Sequence, residues 1–139
     1  MKNCKKIDLS GKDLRDFDFS DVNFQRANLS NVNLSKTIIK NCDFTCANFK
    51  NSNLENADFK GVNLRGANFT DANLKNVNFK GADLSGAILH NANLNGANLS
   101  EAYMRGADIR GVNFENVNLK DTIIKLIFDG DYKRTNKLI

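Results

Sequence analysis

Apolar side chains recur at every fifth position along almost the whole chain. From Leu9 to Ile124, each of the 24 positions reached in steps of five is Leu, Phe, Ile or Met. Two residues before each of these centre positions lies a mostly small or apolar residue, with Lys12 as the charged exception. The residue between them is Asn or Asp in 20 of the 24 repeats, and the two residues that follow are mostly polar or Gly.

A period of five excludes the two common regular structures. Five residues advance about 500° around a helix, so successive centres would lie about 140° apart and no single face would become apolar. In an unbroken strand an odd period would turn successive centres to opposite sides. The pattern instead predicts three extended residues, with the outer two side chains pointing inward, followed by a corner of two residues. Gly at the second corner position, as in Gly61 and Gly81, suits such a turn.

The repeat Ala-Asn-Leu-x-x, as in residues 72–76 and 97–101, resembles that of the pentapeptide-repeat family. The resemblance implies an all-β fold, a right-handed quadrilateral parallel β-helix in which four pentapeptides form one coil. It predicts about six coils over residues 7–126, with a lead at 1–6 and a short non-repeat segment at 127–139. Columns at 20-residue spacing, such as Leu34, Leu54 and Leu74, agree with that coil length.

Composition sets limits on size and class. The chain has 139 residues, 41% of them hydrophobic and 26% charged, and a net charge of +4. These values predict one folded domain and exclude a disordered chain. No apolar run approaches the roughly 20 residues of a membrane span, and the basic start is followed by no apolar signal core. We therefore expect no membrane association and a cytoplasmic protein.

The residues that could support chemistry fit the repeat itself. Cys42 occupies an inward small-residue position, and the single histidine, His90, lies two coils or more from the cysteines. Carboxylates such as Asp58 occupy the Asn/Asp position, where a local turn role suffices. We therefore expect a protein that is not an enzyme, with no catalytic residues, no cofactor and no metal.

Apolar residues replace Asn or Asp at four outward positions. Two of them, Tyr103 and Ile123, are 20 residues apart and so share one face near the C-terminal end. Three interpretations are open: the segment 127–139 caps this end, a second subunit covers it in a homodimer, or the apolar pair has no role. The predicted interface residues are Tyr103, Ile123, Phe128 and Tyr132.

Lysines form a column at the first corner position: Lys40, Lys60, Lys80 and Lys120. Such a column is usually a solvated face, and it is also the candidate anion-binding face of the chain.

Three functions are compatible with the sequence. The first is a non-enzymatic structural or protein-interaction module with an unknown protein partner. The second follows from the resemblance alone: some members of the family bind DNA gyrase and protect it from quinolone-type inhibitors by mimicking DNA. A net charge of +4 opposes that mimicry. The third is weak nucleic-acid binding through the lysine column, which we expect to be non-specific.

Overall fold

The computed structural model describes residues 1–15, 17–37 and 39–124. Two short strands pair in parallel: β1 (Lys2–Asn3) and β2 (Val22–Asn23). The remaining pairing consists of single-residue parallel bridges. Each side of the coil holds only three extended residues between corners, so longer strands have no room to form. The strand β1 lies within the segment 1–6 that the sequence sets apart as a lead, and the domain boundaries themselves stay a prediction.

Every bridge joins residues that are 20 positions apart. Asn33 pairs with Asn53, and Asn53 pairs with Asn73, so one column runs through successive coils. Four pentapeptides therefore make one turn, and the right-handed quadrilateral parallel β-helix is confirmed. Because this register holds from β1 to Ile123, residues at the same corner lie in a straight row along the solenoid.

The interior is filled by the two inward positions of each repeat. Every described centre from Leu14 to Met104 is buried, and so is every described residue two positions earlier from Val22 to Ala107. The Phe rings stack along the axis, with Phe49 and Phe69 parallel and their centroids 5.0 Å apart. The predicted assignment of both inward positions is confirmed over this range, and Cys42 is buried among them as expected.

The corners are made by two recurrent devices. The Asn or Asp before a centre accepts a hydrogen bond at Oδ1 from the backbone N–H two residues later, as Asp58 does from Lys60 at 3.0 Å. The second corner residue takes a positive φ, as at Gly61 (67°) and Arg26 (58°). Such turns suit Gly, Asn and Asp, and 21 of the 23 asparagines occupy one of these two positions.

Burial weakens toward both ends of the described solenoid. In the first coil, Lys12 is exposed at an inward position and Phe17 is 60% exposed. In the last coil, the inward residues Phe114, Leu119 and Ile124 are only partly buried. Within residues 1–15, 17–37 and 39–124, each terminal layer has a neighbouring coil on one side alone, whereas layers in the middle of the stack have one on both sides.

Candidate interaction surfaces

Buried side chains fill the interior of the solenoid where the structure describes it. The gap bounded by Phe19, Phe24 and Phe44 is too small to hold a water molecule. In the described ranges, no group of three or more His, Cys, Asp or Glu residues could hold a metal ion. The surface features are therefore the candidates for function.

Across residues 1–15, 17–37 and 39–124, no helix is long and apolar enough to cross a membrane.

The lysine column occupies one of the four corner edges. Lys40, Lys60 and Lys120 are exposed, whereas the Lys80 ammonium lies 3.1 Å from a carboxylate oxygen of Glu101. The same edge also carries Asp21, Glu101 and Asp121 at its second corner positions. Three acidic residues thus accompany the four lysines, and anion binding at this face stays a prediction.

A second edge, which begins at Lys5, collects positive charge without acidic residues at its corner positions. We call it the basic edge, and its cationic residues are Lys5, Lys6, Arg26, Arg65 and Arg105. Sequence reasoning missed this edge because it followed the first corner position alone. The signal was present, since counting both corner positions at 20-residue spacing separates this edge from the other three.

A groove of about 290 Å³ opens at the N-terminal part of the basic edge. Its lining residues are Lys5, Lys6, Gln25, Arg26, Thr45 and Cys46. Among the described residues, the side chains of Lys5, Lys6 and Arg26 make no ion pair. Farther along the edge, the Arg65 guanidinium contacts the Asp83 carboxylate at 3.5 Å, and this pair is exposed.

Asp43 lies beside the groove and is held as a carboxylate. Burial raises the pKa of Asp43, but hydrogen bonds from Thr45 and Gln25 and the charge of Lys5 outweigh this and hold the pKa below its usual value. The Gln25 amide donates to Oδ2 at 2.6 Å. Gln25 is thereby fixed at the wall of the groove, and its amide serves Asp43 instead of an incoming ligand.

The predicted apolar interface lies where the register requires it. Tyr103 pairs with Ile123, and their side chains are 48% and 39% exposed. Ile88 is 37% exposed on the adjacent side of the coil. Phe128 and Tyr132, the other two predicted interface residues, lie outside the described residues. The face is therefore present, and its role as an interface stays a prediction.

Two family models match the chain. A model described as a pentapeptide repeat region matches residues 12–89, and one described as pentapeptide repeats in eight copies matches residues 82–121. No curated protein matches.

Solved structures with similar folds include three of interest. A pentapeptide repeat protein from the Arabidopsis thaliana thylakoid lumen is 31% identical, with a TM-score of 0.50, over 70% of this chain and 68% of that one. A pentapeptide repeat protein from Nostoc is 33% identical, with a TM-score of 0.35, over 74% and 84%. QnrB1, described as a plasmid-mediated fluoroquinolone resistance protein, is 16% identical, with a TM-score of 0.47, over 96% and 97%.

Proposed function

The chain belongs to the pentapeptide-repeat family, and on that premise we propose that it is a non-enzymatic structural or protein-interaction module. One observation carries the proposal: the inward positions are filled by side chains, while the corner residues differ from one repeat to the next. A filled interior supplies no pocket in which a base could be oriented and water excluded. Recognition by the outer surface is the function that this architecture supports best.

The rigidity of the solenoid supports the same function. Each coil hydrogen-bonds to the next through backbone groups, for example Phe59 N–H to Asn78 O at 2.8 Å and Asp58 N–H to Thr37 O at 2.9 Å. Edge residues are therefore held at fixed separations along the axis. A surface fixed in advance loses little conformational entropy when a partner binds.

Affinity capture with cross-linking from a lysate of the source organism tests the module. We expect one protein to be retained reproducibly, and to be lost when exposed edge residues are substituted without a change in unfolding free energy. Turnover of a small molecule by the purified protein would contradict the proposal. The proposal would also be contradicted if no surface variant reduced the amount of captured protein, or if every variant reduced it equally.

Binding to DNA gyrase with protection from quinolone-type inhibitors is the rival hypothesis. Mimicry of DNA requires an acidic surface, whereas this chain has a net charge of +4 and an edge with five cationic corner residues. We therefore expect no effect in a supercoiling assay with purified gyrase, with or without a quinolone. Inhibition or rescue at micromolar protein would reverse this ranking.

Weak nucleic-acid binding through Lys40, Lys60, Lys80 and Lys120 is the third hypothesis. Aromatic residues that could stack on bases are missing from those corner positions. We expect dissociation constants no tighter than about 10⁻⁴ to 10⁻⁶ M at physiological salt. Fluorescence anisotropy over a salt series measures this directly.

We further propose that the face of Tyr103 and Ile123 is covered by a second subunit or by the C-terminal segment. Its exposed apolar side chains support this. Analytical ultracentrifugation of the protein and of a Tyr103→Lys, Ile123→Lys variant separates the two. A dimer that becomes monomeric supports the homodimer, and a monomer that loses stability supports the cap. If the variant changes neither the mass nor the stability of the protein, the apolar pair has no role.

The cytoplasm remains the proposed compartment. The three cysteines Cys4, Cys42 and Cys46 are free thiols, and free thiols are typical of reducing compartments. Fractionation of source cells tests this, and recovery in an oxidising compartment would contradict it.

A further inference from the structure

The basic edge is the most one-sided charged feature of the described surface. Among its described corner positions, five residues are cationic and none is acidic. Each of the other three edges combines cations with acidic residues, as the lysine column does with Asp21, Glu101 and Asp121. At the corner positions, positive charge without acidic residues is therefore confined to one edge, although the whole-chain value of +4 is modest.

We propose that the basic edge binds an extended acidic peptide segment of a protein partner. The proposal rests on the proposed function as an interaction module and names the chemistry of its partner. The ligand is a segment in an extended, polyproline-II-like conformation with a carboxylate at about every third residue. The contacts are charge-assisted hydrogen bonds from guanidinium and ammonium groups to these carboxylates.

The spacing of the cations leads to this ligand. Coils repeat at about 4.8 Å, the separation of neighbouring strands in a sheet. Arg65 and Arg105 lie two coils apart, and the coil that carries Arg26 lies two coils before the one that carries Arg65. The coils that carry the three arginines therefore recur about every 9.6 Å along this edge, with Arg26 at the second corner position and Arg65 and Arg105 at the first. A polyproline II helix repeats every three residues at about 9.3 Å, so carboxylates at every third residue lie on one side of it at nearly the same spacing.

Other acidic conformations match this line less well. On an α-helix, residues on one face recur about every 5.4 Å, or about every 10.5 Å at seven-residue spacing, and on a strand about every 6.6 Å. The polyproline II repeat of about 9.3 Å is nearer to the two-coil spacing of the arginines than any of these. The solenoid cannot change its register without breaking the backbone hydrogen bonds between coils. The ligand must therefore supply carboxylates at the spacing of the arginines.

The groove provides the anchoring point at one end of this line. Lys5, Lys6 and Arg26 surround it without an ion-pair partner among the described residues. Cations in neighbouring coils, about 4.8 Å apart, repel one another by roughly 0.9 kcal/mol even at the dielectric of water. The Asp43 carboxylate, which the charge of Lys5 stabilises, offsets part of that repulsion, and an anion seated among the cations offsets more of it. The small residues Thr45 and Cys46 on the groove wall leave space for it.

A nucleic acid fits the edge less well than a peptide does. Single-stranded nucleic acids are held by aromatic side chains on which bases stack, and the described corner positions of this edge contain no aromatic residue. A duplex presents its phosphates on a helical path, which a straight row of cations follows only over a short distance. Charge without stacking or groove contacts favours an acidic peptide.

The test uses fluorescein-labelled synthetic peptides and the full chain. The probe is a peptide of six Glu-Pro-Pro repeats. One control peptide has Gln in place of Glu, and a second has the same number of Glu and Pro residues with the glutamates contiguous. At 50 mM salt we expect micromolar binding of the probe, at least tenfold weaker binding of the contiguous peptide, and no binding of the Gln peptide. Affinity should fall as salt is raised.

Matched variants locate the binding site. Arg26→Glu with Arg105→Glu changes the charge of the basic edge, and Lys40→Glu with Lys60→Glu makes the same charge change on the lysine column. We expect the first pair to weaken probe binding at least tenfold and the second to weaken it less than threefold. Urea denaturation of each variant verifies that the fold is retained.

Several outcomes would overturn the proposal. Equal losses from both variant pairs would mean a non-specific charge effect, and equal affinity for the contiguous peptide would remove the spacing argument. Tighter binding of single-stranded DNA of equal charge would assign the edge to nucleic acid. If instead a protein is captured from lysate by both variant pairs alike, the interaction module stands and only the assignment to the basic edge fails.

Discussion

Removal of one ring from the middle of the stack tests the filled interior. Phe59 is 0% exposed, and its ring lies near three others: Phe79 at 5.5 Å, Phe44 at 5.9 Å and Phe49 at 6.0 Å between centroids. We expect Phe59→Ala to lower the free energy of unfolding by about 3 to 5 kcal/mol.

The magnitude follows from three contributions. Exposing a fully buried Phe side chain costs about 1.5 to 3 kcal/mol in transfer free energy. Loss of the aromatic contacts adds about 0.5 to 1.5 kcal/mol. The remainder is the cavity, which the backbone cannot close because residues 58 and 59 are hydrogen-bonded to the coils on both sides.

Phe17→Ala is the matched control, because the same atoms are removed from a ring that is 60% exposed. It should change the free energy of unfolding by no more than about 1 kcal/mol. Urea denaturation followed by circular dichroism measures both, with the slope on urea compared to verify a single cooperative transition. A loss below about 0.5 kcal/mol for Phe59→Ala would refute the reasoning, since the largest effects of point mutations come from core cavities.

Three further predictions address single groups. The Thr37 hydroxyl is buried without a hydrogen-bond partner among the described residues, whereas the Thr122 hydroxyl donates to the Leu99 carbonyl at 2.7 Å. Because an unpaired buried hydroxyl costs free energy and a paired one does not, Thr37→Val should stabilise the protein and Thr122→Val should destabilise it, each by about 1 kcal/mol in urea denaturation. Mass spectrometry of alkylated protein should find Cys46 modified before Cys42, whose burial raises its pKa. The pKa of Asp43 is lower in the folded protein than its unfolded value of about 3.9. The carboxylate therefore stabilises the fold at pH values above about 3.9, and this contribution is lost as the pH falls through the folded pKa. Asp43→Asn should accordingly reduce the loss of unfolding free energy on acidification.

The fold could be predicted from the sequence because one local rule repeats without interruption. An unbroken five-residue period excludes a helix and a flat strand, and the inward positions follow directly. The burial of Phe59 and Leu74 needed no other information. The number of repeats in one coil does not follow from the local pattern, because a polygon of three or five sides would satisfy it equally well. The resemblance supplied that number, and the pairing of Asn53 with Asn73 confirms it.

The charged surface was harder to predict than the core. A lysine column is visible at one corner position, but the side chains of both corner positions project from the same edge. Glu101 follows Ser100 in sequence and contacts Lys80 of the preceding coil, so it offsets a charge that the column alone would count in full. Likewise, the cations of the basic edge alternate between the two corner positions, as at Arg26 and Arg65.

Hydrogen bonding of inward hydroxyls could not be predicted at all. Thr37 and Thr122 occupy equivalent positions in the repeat, yet only Thr122 reaches a carbonyl, that of Leu99. The five-residue pattern does not distinguish these two hydroxyls. Nor does it indicate that Phe17, at an inward position of the first coil, is largely exposed.

Backbone strain gives an independent test of whether the basic edge is used. Arg26 has φ of 58°, a left-handed conformation that costs a side-chain-bearing residue about 1 to 2 kcal/mol and costs Gly little. Arg105 is at the first corner position and is not among the residues with positive φ. Arg26→Gly should therefore stabilise the protein by about 0.5 to 1 kcal/mol, whereas Arg105→Gly should destabilise it by a similar amount. Both should weaken binding of the Glu-Pro-Pro peptide. If Arg26→Gly stabilises the protein and leaves peptide binding unchanged, the strained arginine contributes nothing to that ligand and the groove is not its anchor.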